Sequence, residues 1–131
     1  MNGMEIDKLT ERIIGCAYAV SNALGIGFVE KVYENAFAHE LRKAGLDVRQ
    51  QFPIKVNYDG IIVGEFFADL LVEENILIEL KAVANLDSAH IAQALNYLRA
   101  TGLETCLLIN FGKPRIQVRN LKPSPQWKSS S

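Results

Sequence analysis

Cysteine is almost missing from this chain: Cys16 and Cys106 are the two in 131 residues, each isolated among aliphatic neighbours. Neither has a second cysteine or a histidine at metal-ligand spacing, so both read as buried thiols rather than as zinc or redox groups. An excess of either charge is missing too. Fourteen Lys and Arg against fifteen Asp and Glu leave a formal net charge of −1, which argues against a protein whose main task is wrapping duplex DNA. Long hydrophobic runs are lacking: the stretch from Ile13 to Val29 is broken by Tyr18, Ser21, Asn22 and three glycines. The N-terminal Met1-Asn-Gly-Met-Glu5 has no basic flank. The expectation is no signal peptide, no membrane span and a cytoplasmic location. No internal repeat and no linker divides the chain.

What is present is enough apolar sequence, 49% of residues, to fold one core. The expected domain covers residues 1–122, with 123–131 as a disordered tail. Ile6, Leu9, Ile13, Ala17, Val20 and Leu24 recur at helical spacing and Gly25 stops them; a second helix is expected from Val29 to Ala44, before Gly45. The period then changes to that of strands. Val48 to Tyr58 and Ile61 to Val72 flank Asp59-Gly60, a two-residue hairpin signal. The second of these strands and Ile76 to Ala84 are apolar on both faces, which reads as the centre of a covered sheet. Asp87-Ser88 caps an expected helix from Ala89 to Ala100. Thr105 to Phe111 is a further buried strand, and Arg115 to Leu121 a short edge strand. His39 and His90 fall on helices without a paired ligand and read as surface or packing residues.

Three charged residues interrupt the apolar strands: Asp69 in one, Glu79 and Lys81 in the next. An unpaired buried charge costs several kcal/mol or more, roughly, so they require a partner ion, a metal or a solvent-filled cleft. Glu79 and Lys81 are i and i+2 on a strand and leave the same face. If the turn is Glu73-Glu74-Asn75, Val72 pairs with Ile76 and Asp69 falls opposite Glu79; a two-residue loop would turn Asp69 away. Burial does not choose between these registers. Only the first gathers two carboxylates and an ammonium in one pocket, where a hard divalent cation would reverse the repulsion of the carboxylates. Mg²⁺ keeps several waters in such sites, and the lysine is placed to orient water or offset charge at phosphorus.

Asp69, the nine-residue gap and Glu79-Leu80-Lys81 resemble the core motif of the PD-(D/E)xK nuclease superfamily, with Ala68 where the superfamily's name has proline. Gly27-Phe-Val-Glu30-Lys-Val-Tyr33 is similar to the signature of its GxxExxY branch, and Gln93-Ala-Leu-Asn-Tyr97 to a Q-x-x-x-Y element of the following helix. The resemblance implies an α/β (α+β) fold: a restriction-endonuclease-like αβββαβ core with an extra N-terminal helix, its central mixed sheet flanked by helices. It implies Mg²⁺ or Mn²⁺ held by Asp69, Glu79, Glu30 and the carbonyl of Leu80, with Lys81, Gln93 and Tyr97 completing a catalytic set for phosphodiester hydrolysis. Nucleic acid is the implied substrate, its type open.

Other readings stand beside it. Glu30 lies in the first turn of a helix, where any carboxylate is favoured by the macrodipole. Tyr33, Gln93 and Tyr97 suit packing as well as chemistry, and Glu79 with Lys81 could form a plain buried ion pair. The domain as a whole could be a non-catalytic module binding nucleic acid or a protein partner, or a homodimer. Beyond Glu104 every charged residue is basic, Lys113, Arg115, Arg119, Lys122 and Lys128, which suits a solvated tail or a phosphate-binding edge.

Overall fold

The computed structural model describes residues 1–124. Two helices come first, α1 (Gly3–Leu24) and α2 (Glu30–Lys43), then strands β1 (Val48–Tyr58), β2 (Ile61–Val72) and β3 (Ile76–Lys81), helix α3 (Ser88–Thr101), and strands β4 (Thr105–Asn110) and β5 (Gln117–Leu121). The sheet runs β1-β2-β3-β4-β5. Only β3 and β4, joined across α3, are parallel; the other pairs are antiparallel, so the sheet is mixed as expected. Apolar rows on α1 and α2, including Ile13, Ala17, Phe37 and Leu41, close one core against Leu70, Ile78 and Leu80. The other core packs Ala94, Tyr97 and Leu98 of α3 against Leu71, Leu77 and Leu108. No helix among the described residues is long and apolar enough to cross a membrane.

Local chemistry sets the boundaries. The Asn2 side chain accepts the N–H of Glu5 at 2.9 Å to start α1. Asp59 and Gly60 both take positive φ, 53° and 77°, as a tight hairpin turn between right-twisted strands requires. Asp87 caps α3 by accepting the N–H groups of Ala89 and His90, and His90 Nδ1 accepts the N–H of Asp87 in return. His90 is therefore half of a capping box rather than an idle surface residue. Cys106 is buried, whereas Cys16 is only half-buried.

Strand β2 departs from the expectation of a covered central strand. Its ladder to β3 joins only Leu70, Leu71 and Val72 to Ile78, Leu77 and Ile76. The rest of β2 pairs with β1 alone, and the two project as a ribbon on which Ile61, Ile62, Val63 and Phe67 are exposed. Apolar residues on both faces here mark an uncovered arm, a pattern that composition cannot tell from burial.

Strand β3 ends at Lys81, three residues before the expected Ala84. The Lys81 carbonyl still accepts the N–H of Phe111 at 2.8 Å, but Val83 is captured by a side chain: Asn110, fully buried, accepts its N–H at 3.0 Å and donates to its carbonyl at 2.9 Å. Gly112 lies against the same residue so closely that a Cβ would overlap the Val83 backbone. Gly112→Ala is expected to lower stability by about 1–3 kcal/mol or more, because neither backbone segment can retreat from Asn110. Urea denaturation should show it as a lower midpoint at unchanged slope.

Candidate active site

The three-residue turn forms as the register argument requires. Glu73 and Glu74 both adopt positive φ, 52° and 60°, and Val72 pairs with Ile76. Continuing that register sets Asp69 opposite Glu79, but the backbone ladder has already stopped at Leu70 and Ile78. Side chains take its place. Glu79 Oε1 accepts the N–H of Asp69 at 3.0 Å, and Asp69 Oδ2 accepts the N–H of Leu80 at 2.7 Å. The two carboxylates thus satisfy amides that the parting strands would leave unpaired. Each keeps its second oxygen for other work, apart from a long 3.5 Å contact of Asp69 Oδ1 with Gln51 Nε2.

The side-chain alternation of β2 reverses at this point. Ala68 and Leu71 both join the α3-side core, while Leu70 and Val72 face α1 and α2. The partner strand reverses with it: Val48 belongs to the α2 side, but Phe52 and Ile54 to the α3 side. Between them lies Gln51 at φ 55°, a left-handed conformation that costs a residue with a long side chain roughly 1–3 kcal/mol. Gln51 Nε2 donates to Glu34 Oε1 at 2.6 Å, and Gln50 Nε2 to Glu34 Oε2 at 2.7 Å. Lys31 bonds the latter oxygen at 2.9 Å. Glu34 is 3% exposed, and its charge bears on Asp69. Neither Glu34 nor Gln51 was singled out from the sequence. Glu34 could have been found, since it lies i+4 from Glu30 on one helix face.

The other expected residues are placed as follows. Glu30 opens α2, exposed, and its charge reaches both Asp69 and Glu79. Among the described residues, however, no group of three or more Asp, Glu, His or Cys side chains is gathered to hold a metal. Glu30 is thus near the pair without closing a three-carboxylate cluster. Tyr33 is buried, donates its hydroxyl to the Gly25 carbonyl at 2.6 Å and stacks on Phe111 with centroids 5.0 Å apart. It fixes the connection that delivers Glu30, in which Gly27 sits at φ 111°, a value few other residues adopt. Leu80 has a buried side chain, and its amide serves Asp69. Gln93 Nε2 donates to the Tyr97 hydroxyl at 3.1 Å. Burial and, next, the charges of Glu79 and Asp69 hold the Tyr97 phenol above its ordinary pKa, which puts that phenol on the carboxylate side of α3. Lys81 is half-buried and makes no salt bridge to Glu79 or Asp69 among the described residues. The pair is not a plain buried ion pair.

Burial is the main electrostatic fact. It pushes the Glu79 carboxyl up to about 8; the charge of Asp69 adds to this, while the Asp69 N–H and Lys81 oppose it. Asp69 is raised as well, first by burial and then by Glu34 and Glu30, against the Leu80 N–H. A buried and a half-buried carboxyl that resist joint ionisation, with hard oxygens to spare, suit a small divalent cation that takes one or two carboxylates and keeps its waters. The donor set therefore fits Mg²⁺ or Mn²⁺ better than a soft metal.

Asp69→Asn tests the crowding. The amide oxygen can still accept the Leu80 N–H, so the mutant loses repulsion and little else, and without metal its melting temperature is expected to rise, by the equivalent of about 0.5–2 kcal/mol. A mutant less stable than wild type would show that the ionised carboxylate is a structural requirement.

Comparison with known proteins bears on the family and the fold. A family model described as the PD-(D/E)XK nuclease superfamily matches residues 7–121. Among curated proteins none matches the chain. Two solved structures share the fold. One is an alkaline exonuclease (LHK-Exo) from Laribacter hongkongensis, at a TM-score of 0.56 and 16% identity over 76% of this chain and 59% of that one. The other is SSO0001, at 0.58 and 17% identity over 94% of this chain and 62% of that one. The chain thus spans less than two thirds of either protein.

Proposed function

Because the chain belongs to the PD-(D/E)XK nuclease superfamily, we propose that it hydrolyses phosphodiester bonds of nucleic acid with Mg²⁺ or Mn²⁺ held by Asp69 and Glu79. The observation that carries this reading is the coupled carboxylate pair at the parting of β2 and β3, with Lys81 two residues beyond Glu79 on the same strand. When bound, the cation would neutralise the pair, polarise a phosphate oxygen and make its water more acidic. The protein supplies the rest. Asp69 and Glu79 are oriented by the Leu80 and Asp69 amides, which leaves the second oxygen of each for a ligand role. Lys81 brings a positive charge to the negative charge that grows as water oxygen bonds to phosphorus and the leaving oxygen departs. Gln93 and Tyr97 provide a donor pair on the facing helix. Glu30 would act through its field or through a bridging water, and the Leu80 carbonyl would be the remaining ligand. The Gly27-to-Tyr33 segment supports placing the chain in the GxxExxY branch.

A non-catalytic reading, in which the fold binds nucleic acid, a protein partner or a second copy, draws support from the exposed apolar β1–β2 arm. Calorimetric titration of wild type and Asp69→Asn with Mg²⁺ and Mn²⁺ tests the metal. Purified protein offered single- and double-stranded, nicked and branched DNA and RNA, with EDTA and Lys81→Ala as controls, tests the reaction. Wild type that binds metal yet cleaves nothing in that panel would give the lead to the non-catalytic reading.

A further inference from the structure

Between α3 and the projecting β1–β2 arm lies an open cleft of about 840 Å³. Phe66 and Lys55 line it from the arm, and Gln93, Asn96, Tyr97 and Arg99 from the helix. We infer that this cleft holds one unpaired strand of nucleic acid, leading its phosphodiester to Asp69 and Glu79; the inference rests on the nuclease reading and names its substrate class.

Several observations converge on that occupant. The cleft approaches the carboxylate site at Tyr97, which lines it and packs in one core with Ala68, the residue before Asp69, and with Leu77 of β3. None of the described residues lining it is acidic, and Lys55 and Arg99 place two cations in its walls. That balance differs from the site itself, where carboxylates crowd, and it complements a phosphate backbone. Phe66 is 45% exposed, with its ring 5.9 Å from that of Tyr97 and tilted 39° to it. An aromatic face left to solvent beside side-chain amides is the means by which proteins hold splayed-out bases, since every base has a π-face and amide-reading edges. Stacking favours one strand over two. Clefts of several hundred Å³ hold ligands of nucleotide dimensions, and a base can stack on the Phe66 ring only if it has left its own stack. The paired arm explains how so small a chain supplies a recognition wall: β2 outruns β3 and carries Phe66 past the site.

The test measures binding and cleavage separately. Fluorescence anisotropy in EDTA would compare labelled single strands with duplex of equal length, using wild type, Phe66→Ala and Asn96→Asp. Asn96 is exposed on α3, so a carboxylate there adds charge to the cleft without disturbing the core. Wild type should bind the single strand more tightly than the duplex. Phe66→Ala should weaken single-strand binding by about 5- to 150-fold, the range for one lost base–aromatic stack. Asn96→Asp should weaken it and make its loss with added salt shallower, while Asn96→Lys should tighten it and steepen that loss. Unchanged single-strand affinity in both Phe66→Ala and Asn96→Asp would overturn the cleft, as would tighter binding of duplex. Cleavage by wild type with an unchanged KM in those variants would overturn the cleft and leave the nuclease reading standing. Cleft-dependent binding without cleavage would uphold the cleft and remove the nuclease.

Discussion

Lys81→Ala is expected to slow metal-dependent cleavage by about a hundred- to a thousand-fold while leaving metal affinity nearly unchanged. The ammonium lies beyond the carboxylate pair on β3 and makes no salt bridge to either member among the described residues. Its charge acts on Glu79 across space. A group in that position does little for the resting protein and more as negative charge accumulates at phosphorus, so its loss belongs in kcat rather than KM. The measurement is a single-turnover cleavage rate beside a calorimetric metal titration. A mutant with wild-type turnover would remove Lys81 from the mechanism. Asp69→Ala is a poorer probe of the metal site. It abolishes the acceptor of the Leu80 amide as well as a ligand, so loss of activity would mix chemistry with structure.

The second large effect is on stability against pH with metal removed. Glu79 titrates near 8 in the folded chain against an ordinary 4.5. Below 4.5 both folded and unfolded chains hold the proton; between 4.5 and 8 only the folded chain does. Folding then takes up a proton, so stability in EDTA should fall as pH rises through that window, by a few kcal/mol in total at about 1.4 kcal/mol per unit at most, and level off above 8. Asp69 shifts in the same direction and titrates as part of the same pair. Glu79→Gln keeps an acceptor for the Asp69 N–H and should flatten the curve. Metal must displace the proton, so its affinity should climb by up to about tenfold per pH unit until near 8. A denaturation series in EDTA that is flat from pH 5 to 8 would contradict the assignment.

The features of the site that were legible in sequence are those that rest on counting. Glu73-Glu74-Asn75 as a three-residue turn fixes Val72 against Ile76 and Leu70 against Ile78, one step short of Asp69 and Glu79, whose side chains then each take an amide of the opposite strand. Asp59-Gly60 fixes the other hairpin in the same way. What stayed hidden depends on exceptions to counting. Nothing about glutamine announces a left-handed backbone at Gln51, yet the faces taken by Phe52 and Ile54 turn on it. The exposed arm was read as buried because an apolar strand looks the same whether protein or a future partner covers it. Asn110 was passed over inside the strand Thr105 to Phe111, although its amide makes four hydrogen bonds that end β3 and set the exit of the chain beyond Lys81.

The seam formed by Asp69 and Glu79 bears on how such a chain could change over generations. Their oxygens hold two strands together where the ladder has ended, so a lineage that gave up cleavage would still be under pressure to keep an oxygen acceptor at both positions. Aspartate and glutamate there would persist, or drift only to their amides, in descendants that cut nothing. The ammonium of Lys81 has no share in the seam. Among homologues, its replacement would separate retired enzymes from working ones more sharply than the carboxylates that give the superfamily its name.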